Sequence, residues 1–265
     1  MSDNKRIEGV LDDLQRKGVY GFSRSRLPSH SMSSMAVEKA LVRLAAKGRV
    51  RRIRKDFYVI IPVEYSTTGM IPYDWFIDDL MQSLGQSYYV GLQSAAALHG
   101  AAHQQIQQVQ IVTPKQERSI ECKGLSIRFF TKAGFDGTPL VSRKGHSGTF
   151  PVSSPEATAL DLVRYARRLG GLDTVTTILT ELAEAMEPGK LSSAVRAEEE
   201  LSHAQRLGWL LDHLKQDRLA EAVHQALSAR KSIARIRLDS SGPWGGHTGN
   251  NRWRVVANAT PEADV

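Results

Sequence analysis

The sequence predicts an α+β fold in two parts. Three observations carry that prediction. Apolar residues recur at helical spacing over residues 4–47 and are followed, before residue 62, by a run rich in β-branched and aromatic residues. Two further strand-like runs lie near residues 109 and 125. From Ser154 to about residue 231 the pattern is mostly helical.

Residues 4–17 place Ile7, Val10, Leu11 and Leu14 on one helical stripe, with Asn4 as a plausible cap and Gly18 as a stop. Residues 23–27 are read as a short second helix, from Ser23 to the break at Pro28. The polar stretch from Ser29 to Ser34 suits a turn. A third helix is expected over 34–47, with Val37, Ala40, Leu41 and Leu44 buried, Ser33 or Ser34 capping it and Gly48 ending it. Phe57–Ile61 reads as a strand, and Lys55-Asp56 as a tight turn before it, because Asp tolerates left-handed backbone. The alternation of the preceding strand, from Val50, is imperfect and leaves its register open. Three helices and a hairpin in this order make residues 1–62 a winged helix-turn-helix, with residues 63–72 as linker.

The second part, residues 73–238, is expected to be a mixed, mainly helical domain with a small β-sheet. Its elements are a helix at 73–84, a small-residue helix at Leu92–His99, and strands at Val109–Val112 and Leu125–Phe130. Residues 134–149 read as loop. Ser154-Pro155-Glu156 is a helix start with a cap, a Pro in the first turn and an acid beside it. Breaks are expected at Gly170-Gly171, Pro188-Gly189 and near Asp217. Residues 239–265 form a tail, mobile in its Gly-rich part, with a last strand at Arg252–Val256 and with Trp244 and Trp253 able to anchor it.

The formal net charge is +7, and its distribution is uneven. Residues 1–61 hold 14 Lys and Arg against 6 Asp and Glu, whereas the remainder holds 21 against 22. A basic head on a nearly neutral body suits a polyanion-binding module joined to a second task. No apolar run approaches the length of a membrane span, the first residues lack the apolar core of a secretory signal, and Cys122 is the single cysteine. A cytoplasmic protein with neither disulfide nor thiolate metal site is the expectation.

On the third helix, Met35, Lys39 and Arg43 lie opposite the buried stripe, while Ser33 and Ser34 present backbone N–H groups at its start. Such a helix can enter the major groove, and its first turn can hold a phosphate. The hairpin adds Arg51, Arg52, Arg54 and Lys55, suited to a backbone or a minor groove. These nine residues are the candidate DNA-binding set. If about six of the cations met phosphates, affinity would fall roughly 10³-fold between about 50 and 200 mM salt. The blander alternative is a solvated face of a protein-interaction module. Seven cations against Asp56 alone between Arg43 and Asp56 weigh against it.

The run Val42–Ile60 resembles the end of the recognition helix and the wing of AbiEi-family antitoxins, which usually carry Gly where Asp56 stands. Tyr88–Gly100 is similar to the opening of that family's C-terminal domain, and the Val109–Thr113 strand and the Ser153–Asp161 helix start also fit. The resemblance spans roughly residues 5–230 and leaves the Gly- and Trp-containing tail out. It implies a transcriptional repressor and antitoxin of a type IV toxin–antitoxin system, of the kind used in phage defence. Such a protein binds inverted repeats in double-stranded DNA upstream of its own operon, as a monomer or dimer. It counters a nucleotidyltransferase-like toxin, typically without a stable complex.

Signs of catalysis are weak, and no enzyme, cofactor or metal is expected. His99 and His103 stand at i, i+4 without a third ligand nearby. Glu121-Cys122-Lys123 has the acid-x-Lys form of metal-dependent nucleases but lacks the upstream acid. Gly145-His146-Ser147-Gly148 has the wrong order for a nucleophile elbow. Two alternatives remain: a DNA-targeted, nuclease-like enzyme, and a winged-helix regulator with a ligand-sensing C-terminal domain.

Overall fold

A computed structural model describes residues 3–27, 33–101, 108–230, 232–245 and 252–263. In chain order its elements begin with α1 (Asp3–Arg16), β1 (Gly21–Ser23), α2 (Ser34–Ala46), β2 (Val50–Arg54), β3 (Phe57–Ile60) and α3 (Ile77–Ser83). They continue with β4 (Tyr89–Val90), α4 (Leu92–Leu98), β5 (Val109–Thr113), β6 (Ile120–Cys122), β7 (Leu125–Thr131), β8 (Leu140–Gly145) and β9 (Gly148–Ser153). The rest is α5 (Pro155–Arg164), α6 (Leu172–Leu182), α7 (Pro188–Ala197), α8 (Leu201–His213), α9 (Asp217–Ser228), β10 (Ile236–Arg237) and β11 (Val255–Val256). The fold is α+β. It divides into one compact unit of residues 1–88, 107–131 and 142–151, and another of residues 89–106, 132–141 and 152–265.

In the first unit, α1 and α2 pack on an antiparallel sheet of order β1-β3-β2. The stripe foreseen on α1 buries Ile7 and Leu11 completely, and α2 buries Val37, Ala40, Leu41 and Leu44 against Phe22, Val50 and Ile60. One sequence expectation needs correction. The segment 23–27 is not a second helix. Residues 21–23 pair with β3, Gly21 opposite Val59, and only Arg24–Arg26 turn as a short 3-10 helix. Three residues offered no visible period, and the pairing that makes β1 a strand lies far along the chain. The imperfect alternation of β2 has a cause: its register shifts between Arg52 and Arg54, a bulge that lets Val50 and Ile53 both face inward. The Lys55-Asp56 turn forms as expected, with Asp56 at φ 60°. The same unit holds a three-strand arrangement of β6, β7 and β5, in which β5 and β7 run parallel from Val109 opposite Ile127 to Thr113 opposite Thr131.

In the second unit, Ser154 caps α5, accepting a hydrogen bond from Ala157 N at 3.3 Å with Pro155 in the first turn. Glu156 is buried there, and its Oε1 also accepts the N–H of Glu187 at 3.0 Å, the residue preceding α7. Two helix starts are thereby tied together. Helices α6, α7 and α9 begin at the three breaks that the sequence marks. Their apolar faces and that of α8, through Leu179, Leu191, Leu207, Leu210 and Val223, form the core. Asp161 is fully buried and receives Tyr89 Oη at 2.7 Å and Lys132 Nζ at 2.8 Å. Burial, and then the adjacent Asp161 carboxylate, push the Tyr89 hydroxyl far above its ordinary pKa. Residues 134–149, expected as loop, contain β8 and the start of β9, an error with a simple origin. Because the β8 side chains are almost all exposed, the strand carries no alternation to read.

The tail docks through Trp253, which is 1% exposed and gives its indole N–H to Asp212 at 2.6 Å. Arg252 makes two hydrogen bonds to the same carboxylate, and β11 pairs parallel with β10. Trp244 is exposed, with the Arg237 guanidinium 5.0 Å above its ring. Of the stretch expected to be mobile, residues 246–251 lie outside the described residues. No described helix is long and apolar enough to cross a membrane.

Candidate nucleic-acid interface

The basic residues of the head are of two kinds, and local structure decides which. Ser33 is the N-cap of α2, its hydroxyl accepting the N–H of Ala36 at 3.2 Å. Ser34 is gripped from the side, because Arg24 donates to its carbonyl at 2.6 Å and to its hydroxyl at 2.7 Å. Sequence reasoning missed Arg24; the only signal was its place in the cation-rich Ser23–Arg26 segment. Beyond the cap, Met35 is 65% and Val42 64% exposed, and Lys39 and Arg43 stand exposed one turn apart. The face of α2 opposite its core stripe is therefore a mixed cationic and apolar surface. Ser33→Ala is expected to cost about 1 kcal/mol of stability, since one orphan helix N–H loses its acceptor; thermal unfolding of the variant measures it.

The hairpin separates its four cations. Arg54 forms an ion pair with Glu117 at 2.8 Å, and that Glu also accepts a hydrogen bond from Gln86. Arg51 donates through Nε to the Gly69 carbonyl at 3.2 Å, inside the segment 63–72 expected as linker. Cys122 gives its thiol to the Arg52 carbonyl at 3.5 Å, and burial raises its pKa while the Arg51 charge opposes the rise. One edge of the hairpin is thus covered. Arg52 and Lys55 remain exposed.

Two more cations of the basic run turn toward α1, Arg49 to Asp12 at 3.0 Å and Lys47 to Glu8 at 3.9 Å. Of the basic candidates, Lys39, Arg43, Arg52 and Lys55 are the exposed ones without an acidic partner among the described residues. The start of α2 and the hairpin tip border one cleft of about 760 Å³, lined by Arg24, Ser34, Lys55 and Asp56 among others. Arg26 lies 3.5 Å from Asp79. Burial raises the Asp79 pKa, and the Arg26 charge opposes it.

The residues weighed for catalysis have other partners. His99 is the C-cap of α4, and its Nε2 is 2.8 Å from the Ser153 carbonyl; His103 lies outside the described residues. Glu121 accepts the Ser126 hydroxyl at 2.7 Å. His146 stacks on Trp75, with ring centroids 3.5 Å apart.

Residues 89–213 match the family model described as the AbiEi antitoxin C-terminal domain. Among solved structures, the RV2827C protein from Mycobacterium tuberculosis is 16% identical, with a TM-score of 0.63 over 97% of this chain and 91% of that one. At that identity the likeness concerns the fold alone. An antigenic nucleotidyltransferase-like protein from Paracoccidioides brasiliensis is 13% identical, with a TM-score of 0.37 over 59% of this chain and 91% of that one, too low to support any inference. No curated protein matches the chain.

Proposed function

We propose, from the match of residues 89–213 to the family model described as the AbiEi antitoxin C-terminal domain, a type IV antitoxin that represses its own operon. Residues 1–62 act as a winged helix-turn-helix. Helix α2 enters the major groove of double-stranded DNA, and the β2–β3 hairpin lies along the backbone beside it. The observation that carries this reading is the group of exposed cations on α2 and the hairpin, Lys39, Arg43, Arg52 and Lys55, without an acidic partner among the described residues.

Within the proposed set, roles differ. Ser33 shapes the first turn of α2, and Met35, Lys39 and Arg43 approach the groove. Ser34, held by Arg24, offers its N–H to a phosphate. Arg52 and Lys55 meet phosphates. Arg51 and Arg54 brace the hairpin through Gly69 and Glu117 and so act on DNA through its position. The C-terminal domain opposes a nucleotidyltransferase-like toxin in the cytoplasm.

A gel shift on the chain's own upstream DNA tests repression, and retardation by nanomolar protein at about 100 mM salt is the expected result. No shift of that DNA relative to a scrambled duplex sinks the repressor half. Co-expression with the product of the neighbouring gene tests the other half. Restored growth is expected, and continued arrest would remove the antitoxin role.

A further inference from the structure

The second unit contains a cavity of about 800 Å³, within the size range of small-molecule sites. It lies among the end of α5, the Gly170-Gly171 turn that starts α6, the start of α8 and the tail. Arg164, Arg167, Arg206, His203, Glu200 and Asp239 line it with several hydroxyls.

The acids on this wall are already engaged. Glu200 lies 2.7 Å from His203 Nε2 and 3.6 Å from Arg164. Asp239 accepts both the N–H of Ser241 at 2.8 Å and its hydroxyl at 2.6 Å. Asp173 takes the N–H of Glu262 at 3.1 Å.

The donors are not. Among the described residues Arg206 gives only Nε, to the Arg237 carbonyl at 2.9 Å, and Arg167 is exposed. Burial, and then the Arg237 charge beside it, pull the Arg206 guanidinium below its ordinary pKa, while the Glu200 and Asp239 charges oppose the fall. Helix α6 begins without a side-chain cap; Gly170 and Gly171 at φ 102° and 99° bring the chain into its first turn. Its leading N–H groups therefore have no side-chain cap among the described residues, and the Asp173 carboxylate stands in the same turn. Two side chains on the same wall, each about nine-tenths buried, have an atom without any partner among the described residues: Arg164 Nε and His203 Nδ1.

We propose that this cavity binds a small molecule through a phosphate group, with Arg167, Arg206 and the first turn of α6 as its donors. The excess of donors over free acceptors sets the class of ligand, since a phosphate brings several acceptor oxygens. The tail closes one side of the site, which gives the docked segment a function beyond packing. The site is independent of the DNA-binding reading, because every residue that lines it lies in the second unit.

The experiment is a thermal-shift and calorimetric titration of the full chain with pyrophosphate, against sodium chloride of equal ionic strength. A rise of about 3 °C or more at about 10 mM pyrophosphate is expected, because a ligand that binds only the folded state stabilises by mass action. Arg167→Gln, at an exposed position, and Arg206→Gln should both abolish the rise. A Lys39→Gln, Arg43→Gln double variant, altered on the DNA-binding surface, should keep it. No rise overturns the proposal. So does a rise that survives Arg167→Gln and Arg206→Gln, or one that vanishes in the Lys39, Arg43 variant, which would put the anion on the head. A failed gel shift with a positive titration sinks the repressor reading and leaves this one standing.

Discussion

Changing Lys39, Arg43, Arg52 and Lys55 together to Gln is expected to remove most of the salt dependence of DNA binding. Each phosphate contact contributes about −0.9 to the slope of log K against log salt, so four contacts give about −3.6. The unaltered chain should lose roughly 10²-fold in affinity between about 50 and 200 mM salt, less than the roughly 10³-fold that six contacts would give. The smaller figure follows from the hairpin: Arg51 and Arg54 hold their own support and are not free to exchange counterions. All four substituted positions are exposed, so the variant should fold. Fluorescence anisotropy on the upstream DNA over a salt series measures the slope. A slope unchanged in the quadruple variant would mean that the binding surface lies elsewhere. As an internal comparison, Glu117→Gln should steepen the slope by at most about 0.9, one further phosphate contact, because it releases Arg54.

The second large effect concerns the tail. Gly208 lies in α8 directly under Trp253, and a methyl built on it would fall 2.5 Å from Trp253 Cε3 and Cη2. Gly208→Ala should gain about 1 kcal/mol in helix propensity. The collision outweighs that gain, because the indole has to leave a fully buried site and release its bond to Asp212. Loss of a buried Trp costs about 3–5 kcal/mol, so a net loss of about 3 kcal/mol is expected, or roughly 6–12 °C in Tm. Trp253→Ala should cost a similar amount. The double variant should be no worse than Trp253→Ala alone, since both changes remove one contact. Differential scanning calorimetry of the three variants decides it, and additive losses would contradict the packing account. The Gln205 amide also donates to the Trp253 carbonyl at 2.7 Å, so α8 holds the backbone of the tail as well as its ring.

Much of the helical part was legible from residues alone. The stripe on α2, the Ser-Pro-Glu start of α5 and the breaks before α6, α7 and α9 are all local signals, and each marks the element found there. The strands were read less well. β1 and β8 were missed, because a three-residue strand has no period and an exposed strand has no alternation. For the interface, sequence showed which residues are cationic, and composition could go no further. Arg54 and Arg52 look alike on a helical or strand plot. What distinguishes them is Glu117, distant in sequence but 2.8 Å from Arg54.

By itself, then, the sequence determined where α2, α5, α6, α7 and α9 begin, where the positive charge is concentrated and which family the body resembles. Those properties are set by neighbours within a few residues, or by composition. Only the tertiary structure decided which cations stay free, why β2 carries a bulge, how Trp253 fastens the tail and where the α6 start meets Arg206. Each of these depends on groups brought together across the chain, and a hydrogen bond or a close contact exists only once both partners have been placed.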